Sequence, residues 1–285
     1  MKKVLGLIGK PLDHSLSPIM HNWLIGREGL NYTYLSFEVE KGNVMDALKG
    51  AQALDFRGLN VTIPHKLAAA KAVDVLGERS RMLGAVNTID FSDSSIKGKN
   101  TDLTGFLRSL DINGFLPSDK NCFVFGAGGG SAAVCFGLAK ARARKVTIAN
   151  RTFSKAEELK RKVNKCFQGQ PKLEALSLDE NLERYIEEAD IVINTTPVGT
   201  WPRVDEAIWN RSSVFSGDQV VYDLVYNPPR TKFLEIADEG GARIISGLDM
   251  LICQGVESLS IWTGKDFILE NFLPELREHL KENLS

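Results

Sequence analysis

A lysine at the end of a strand-like run is the residue best placed to move a proton. In the segment NVTIPHK, from Asn60 to Lys66, Thr62 supplies a hydroxyl, Pro64 restricts the backbone, and Lys66 stands among apolar neighbours. A lysine in such surroundings gives up its proton more readily than in water and can act as a general acid near neutral pH. The same residues open HKLAAAKAVDVL, which has the pattern of an amphipathic helix, so Lys66 taken alone also fits a solvated first turn. A second segment, GAGGGSAA, joins a short apolar strand to a helix carrying Ala133, Val134, Phe136 and Leu138. Glycines there allow a tight turn and let the backbone of Gly126, Ala127, Gly128, Gly129 and Gly130 approach a pyrophosphate at a helix N-terminus. Ser131 stands where a third glycine is usual and is small enough for helix and strand to pack closely.

The strand Lys145 to Ala149 runs into Asn150, Arg151 and Thr152, where a domain specific for NAD carries an acid for the ribose hydroxyls. No acid is present. Arg151 can instead grip a 2′-phosphate with two hydrogen bonds, and Lys155 adds a second positive charge. Ser154 and Glu157 have the spacing of a capping box, which puts Lys155 in a first turn, where the helix dipole disfavours a cation. A bound phosphate offsets that conflict, so the expected cofactor is NADP. As loop charges with no ligand, Arg151 and Lys155 would have no such role.

Two further strands end in polar loops. Ile191 to Asn194 leads into NTTPVGT, and Val220 to Val225 leads into YNPPRT. Loops after parallel strands form the carboxyl edge of a doubly wound sheet, where ligands bind. Thr195, Thr196, Pro197, Val225 and Gly247 are therefore candidates to line the cofactor, and Tyr226 to meet the substrate. Each also fits ordinary turn chemistry.

These residues sit in an alternation of strands and helices. Val4 to Ile8 reads as a strand, Ser17 and Pro18 as a helix start with Ser17 as N-cap, and Tyr32 to Phe37 as the next strand. A helix over Val44 to Ala51, a strand before Thr62, the Lys66 helix and a strand from Ala85 to Phe91 follow. The stretch from Ser92 to Asn100 reads as a polar connection before a helix from Leu103 to Leu110. Near the end, Gly247 to Trp262 reads as a helix holding Gln254, followed by a segment interrupted by Pro274. The expectation is an α/β protein of two domains. Residues 1–103 and 248–285 form an α/β substrate-binding domain, and residues 104–247 form a Rossmann-type doubly wound dinucleotide-binding domain.

Composition narrows the partners. The 285 residues carry 35 basic and 36 acidic side chains with no block of like charge, which points to a small-molecule ligand rather than nucleic acid or a membrane surface. No apolar stretch is long enough to span a bilayer. Cys122, Cys135, Cys166 and Cys253 are scattered, which suits a reducing cytoplasm, and neither they nor the four histidines have metal-ligand spacing. No metal is expected. Oligomeric state stays open between monomer and homodimer.

Together the motifs resemble the shikimate dehydrogenase family. The matching blocks are SLSP at Ser15 to Pro18, NVTIPHK at Asn60 to Lys66, GAVNT at Gly84 to Thr88 and GKNTDLTGF at Gly98 to Phe106, followed in order by GAGGGSAA, NRT, NTTPVG, DLVYNP and GLDMLICQG. The resemblance implies reversible, NADP-linked conversion of 3-dehydroshikimate to shikimate, on the route to aromatic amino acids. It implies that Ser15 and Ser17 bond the substrate carboxylate, that Thr62, Asn87, Asp102 and Gln254 hold ring hydroxyls, and that Lys66 and Asp102 form the catalytic pair. Tyr226 is a further substrate candidate. Trp201 departs from the family, which often carries methionine there. An enzyme for quinate or another cyclic hydroxy acid, and a ligand sensor of the same fold, are the competing readings.

Overall fold

A computed structural model describes residues 2–284, which form two compact units. The first combines the chain up to Gly105 with Ile252–Asn283, and the second is Phe106–Leu251. In the first unit the order is β1 (Lys3–Gly9), α1 (Ser17–Arg27), β2 (Tyr32–Glu38), α2 (Val44–Ala53), β3 (Gly58–Val61), α3 (Lys66–Ala72), β4 (Val75–Leu76), α4 (Glu78–Leu83), β5 (Thr88–Asp90) and β6 (Lys97–Lys99). Helix α5 (Asp102–Ile112) then leads into the second unit. That unit holds β7 (Asn121–Phe125), α6 (Gly129–Lys140), β8 (Lys145–Asn150), α7 (Phe153–Phe167), β9 (Lys172–Ser177), α8 (Glu183–Glu187), β10 (Ile191–Asn194), β11 (Val220–Asp223), α9 (Lys232–Glu239) and β12 (Arg243–Ser246). Helix α10 (Leu248–Thr263) returns the chain to the first unit, which ends with α11 (Leu273–Glu282).

The first sheet has the order β2-β1-β3-β5-β6-β4. β1 is parallel to both neighbours, whereas β5 is antiparallel to β3 and β6. This mixture matters for the site. Reversing β5 brings its N-terminal residues to the same edge as the carboxyl ends of β1 and β3, and pairs Asn60 with Thr88 across the strands. One face is closed by an apolar cluster that includes Ile8, Leu48, Leu59, Val61, Val86 and Ile89. At Gly58 a β-carbon would lie 2.0 Å from Nε1 of Trp262, whose indole N–H donates to the Ile89 carbonyl at 2.8 Å. Only glycine lets the helix come that close.

The second sheet is wholly parallel, with the order β12-β11-β10-β7-β8-β9. This is the doubly wound arrangement, with the change of winding direction between β7 and β10. Asp223 closes β11 and is fully buried. Its carboxylate accepts from the Asn194 amide at 2.9 Å, from the Val225 N–H at 3.0 Å and from the Thr231 hydroxyl at 2.7 Å. Burial pushes its pKa up to about 7 against the opposing pull of those three donors.

Several local expectations are corrected. Ser17 is the first helical residue of α1 and Leu16 the cap; the Ser17 N–H reaches back to Ser15 Oγ at 3.3 Å. Pro18 fits either of the first two helical positions, so it could not set that register. The Lys66 helix stops at Ala72, because Val73 turns extended and Val75–Leu76 pair with β6, a strand inside the stretch read as a connection. Thr152, not Ser154, caps α7, and Glu157 pairs with Lys160 instead of closing a capping box. Lys155 still falls in the first turn. Pro274 lies in the first turn of α11, directly after Leu273, rather than interrupting a helix, and β9, at the sheet edge, had no expected counterpart.

Replacing Gly58 by alanine should cost about 3 kcal/mol, because the added methyl must displace Trp262 and its hydrogen bond. Urea denaturation reads this directly; a loss under about 0.5 kcal/mol would show that the helix gives way freely. For Asp223 the raised pKa means that the folded state holds a proton the unfolded state has lost between about pH 4 and pH 7. Its contribution is complete below that window and disappears as pH rises through it. The stability of the parent relative to Asp223→Asn should therefore fall as pH rises from about 4 to about 7, and parallel curves would contradict this.

Candidate active site

Lys66 opens α3 directly after the turn that follows β3. His65, its cap residue, is buried and bonds the Val39 carbonyl through Nε2 at 2.7 Å, while its N–H donates to the Thr62 carbonyl at 2.9 Å. The Val39 N–H in turn donates to the Gly9 carbonyl at 3.1 Å. The ends of β1, β2 and β3 are thus tied to the residue before Lys66. Its Nζ donates to Asp102 Oδ2 at 2.7 Å, with side chains 26% and 10% exposed. A partly shielded ion pair needs further bonds to offset lost hydration, and Asp102 has them. Its Oδ1 accepts from Asn87 Nδ2 at 2.9 Å, and its N–H donates to Asn100 Oδ1 at 3.0 Å.

Asn87 joins the groups. Its second N–H is shared between Thr101 Oγ1 at 2.9 Å and Gln254 Oε1 at 3.3 Å, and its Oδ1 accepts from the Thr101 N–H at 2.9 Å. Lys66, Asp102, Asn87 and Gln254 are therefore one hydrogen-bonded cluster. The other expected substrate residues lie outside that bonded set. Ser15 and Ser17 pair at the start of α1, beyond β1, and half-buried Thr62 follows β3, so both groups occupy the same sheet edge. Tyr226 is half-buried in the loop after β11, in the second unit.

Sequence reasoning missed the buried hydroxyls of Thr88, Thr101 and Ser258 and the amide of Asn60 beside them. Ser258 Oγ accepts from Asn60 Nδ2 at 3.0 Å and lies 2.8 Å from Thr88 Oγ1 and 3.2 Å from Thr101 Oγ1. A signal existed. Gln254, Ser258 and Trp262 recur every four residues along α10, the spacing of one helix face.

In the second unit the glycine loop has the form needed for a pyrophosphate. Gly126 takes φ +108°, and a β-carbon there would lie 2.5 Å from Thr195 Oγ1. Gly128 and Gly129 face open space at the start of α6, whose first amides have no acceptor within the helix. Ser131 is committed inward: its Oγ accepts from the Gly128 N–H at 2.9 Å and meets Thr195 Oγ1 at 2.5 Å, while the Thr195 hydroxyl donates to the Phe125 carbonyl at 2.6 Å. Those two hydroxyls hold the loop in shape. Thr196 bonds Asn194 through both its N–H and its hydroxyl, and Pro197 is exposed beyond it. The Val225 carbonyl accepts from the Gly247 N–H at 3.3 Å, and a β-carbon at Gly247 would lie 2.1 Å from the Leu224 carbonyl oxygen.

Asn150 bonds the Thr152 carbonyl at 2.9 Å, and Arg151, Thr152 and Lys155 are exposed around that turn. Among the described residues neither Arg151 nor Lys155 forms a salt bridge. Two exposed cations outside any salt bridge, beside an acid-free strand end, fit a ribose phosphate. Among the described residues no cluster of His, Cys, Asp and Glu is arranged for a metal, and no helix is long and apolar enough to cross a membrane.

Comparison with known proteins agrees with this geometry. Residues 7–89 match the shikimate dehydrogenase substrate binding domain, residues 113–214 the shikimate / quinate 5-dehydrogenase family, and residues 247–267 the shikimate 5′-dehydrogenase C-terminal domain. A shikimate dehydrogenase (NADP(+)) of Methanopyrus kandleri is 43% identical over 284 residues, covering 98% of this chain and 96% of its own. One of Moorella thermoacetica is 45% identical over 267 residues, covering 92% and 88%. The crystal structure of shikimate 5-dehydrogenase from Thermus thermophilus in complex with NADP(H) and shikimate superposes with a TM-score of 0.85 at 31% identity, covering 97% of this chain and 99% of that one. With its substrate-domain and dehydrogenase matches in order along nearly its whole length, the chain belongs to the shikimate dehydrogenase family.

Proposed function

We propose that this protein catalyses the reversible, NADP-linked reduction of 3-dehydroshikimate to shikimate, with Lys66 and Asp102 as its catalytic pair. The observation that carries the reading is the 2.7 Å contact between Lys66 Nζ and Asp102 Oδ2, braced by Asn87. The bound cofactor supplies the hydride that reduces the ketone. As the carbonyl carbon is reduced, its oxygen gains negative charge, and an ammonium within reach neutralises it by giving a proton. Lys66 has that role. Asp102 aims the ammonium through Oδ2 and, with its remaining lone pairs, accepts from a substrate hydroxyl. In the reverse direction Lys66 takes the hydroxyl proton back. Because lysine and carboxylate are in contact, pH profiles belong to the pair rather than to either group.

Ser15 and Ser17 are assigned to the substrate carboxylate. Ser15 Oγ already accepts the Ser17 N–H, which leaves its hydroxyl proton to donate to an anion. Thr62, Asn87 and Gln254 are assigned to ring hydroxyls. For the cofactor, the bare backbone at Gly128 and Gly129 and the first amides of α6 suit the pyrophosphate, and Arg151 with Lys155 suits the 2′-phosphate. The assignment of the first unit to substrate and the second to cofactor follows from these placements. The four cysteines form no disulfide and three of them are buried, which supports a reducing cytoplasm.

Lys66→Ala should lower kcat about a hundredfold or more while changing the shikimate KM only a few-fold. Steady-state kinetics with shikimate and NADP test this, and a near-normal kcat would return Lys66 to a solvated helix start. Arg151→Ala should raise the KM for NADP about tenfold and leave that for NAD nearly unchanged. Equal kcat/KM for the two cofactors in the parent enzyme would remove the basis for the phosphate assignment.

A further inference from the structure

Behind Asp102 a line of buried polar side chains runs into the core, and two backbone groups settle which atoms donate. The Thr101 N–H can only donate, and it lies 2.9 Å from Asn87 Oδ1. This orients the Asn87 amide, so Nδ2 faces Asp102. Thr88 Oγ1 lies 2.9 Å from the same Oδ1, an acceptor, so the Thr88 hydroxyl proton must point to Asn87. The Asn87 carbonyl can only accept, and it lies 3.1 Å from Asn60 Nδ2, which orients the Asn60 amide as well. The second Asn60 Nδ2 proton is shared between Thr88 Oγ1 at 3.3 Å and Ser258 Oγ at 3.0 Å; Ser258 lies 2.8 Å from Thr88 Oγ1, and its own hydroxyl reaches the Gln254 carbonyl at 3.0 Å. Asn60 Oδ1 is left to accept, and the Tyr34 hydroxyl lies 2.8 Å from it.

Along the direct route each contact donates toward the carboxylate: Tyr34 to Asn60, Asn60 to Thr88 at 3.3 Å, Thr88 to Asn87, Asn87 to Asp102. All five residues are buried, Tyr34 and Thr88 completely. In a low-dielectric interior, hydrogen bonds aligned this way polarise one another, and the polarity at the end of the series favours a negative charge. Resting on the reading of Lys66 and Asp102 as the catalytic pair, we propose that Tyr34, Asn60 and Thr88 are positioning residues, a one-way donor chain that orients Asn87 and holds the Asp102 carboxylate aimed at Lys66. Burial raises the pKa of Tyr34, so its proton stays in place as a donor across the working range.

Few other charges face this chain. Lys66 on α3 meets Asp102 directly. His21 on α1 stacks on Tyr34 with ring centroids 4.2 Å apart, and burial lowers its pKa to about 3, which keeps it neutral. Arg79 on α4 and Glu257 on α10 are paired at 2.5 Å beside Thr104 of α5. Lys99 on β6 and Arg57 before β3 are both engaged by Asp90 on β5.

Tyr34→Phe removes the first donor while keeping the ring against His21 and Trp262. Its acid-side limb in the pH profile of kcat should move up by about half a pH unit, with kcat below the limb reduced about threefold. Thr88→Val interrupts the chain one step from Asn87 and should move the limb further, by about one unit, while Thr88→Ser should restore the parent profile. A purely structural role predicts lower thermal stability with superimposable profiles. That outcome in both Tyr34→Phe and Thr88→Val would overturn the proposal, and if Thr88→Val does not fold, Tyr34→Phe with Thr88→Ser decides it. Lys66→Ala, measured alongside, separates the two readings: a collapse of kcat there with unmoved limbs here removes the chain and leaves the pair, whereas near-normal kcat removes the pair itself.

Discussion

The contact between Lys66 and Asp102 is the constraint from which the first unit takes its polar architecture. Two opposite charges in a half-shielded site lose hydration that their mutual attraction does not by itself return. The surrounding fold offsets this by meeting the carboxylate on both oxygens and holding the lysine at a helix start braced by His65. Asn87 can serve Asp102 only if its amide is held one way round, and that needs the Thr101 N–H and the Thr88 hydroxyl. A polar interior of this kind is favourable only when every member is satisfied. The antiparallel β5 makes it so, because its reversal sets Thr88 opposite Asn60.

A different constraint shapes the second unit. Anion binding at a helix start requires bare backbone, so the loop has to be stiffened without side chains entering it. Gly126 admits Thr195 where a β-carbon would collide, and Thr195 with Ser131 ties the loop to the end of β7. The replacement of a third glycine by Ser131 is thus structural. Its hydroxyl braces Gly128, leaving Gly128 and Gly129 clear on their outer side. Asp223 performs a comparable task one strand further on, linking the ends of β10 and β11 to the cap of α9.

The reading of the sequence succeeded where one segment carries its own signal. A strand running into glycines and then a helix is local, and so is the missing acid after β8. The α/β alternation and the Lys66 position were legible for the same reason. It failed where a distant segment decides. Nothing within HKLAAAKAVDVL says that Val75 and Leu76 will leave the helix to pair with Lys97 and Gly98. It failed locally as well at Glu157, which pairs with Lys160 on its own helix instead of closing a capping box, a competition that spacing alone does not rank.

By itself, then, the sequence determined which chemistry was on offer: a lysine after a strand, a bare glycine turn, cations in place of an acid, and an ordered set of motifs naming the family. Tertiary structure alone decided how the side chains combine. Lys66 and Asp102 are 36 residues apart, and Asn60 and Ser258 are 198 apart, so no local periodicity relates them. Their orientation depends on hydrogen-bond partners that arrive only when β5 reverses against β3 and α10 returns to cover the sheet. Residue types are carried by each position, but the direction of a hydrogen bond belongs to a pair, and pairs exist only in the folded chain.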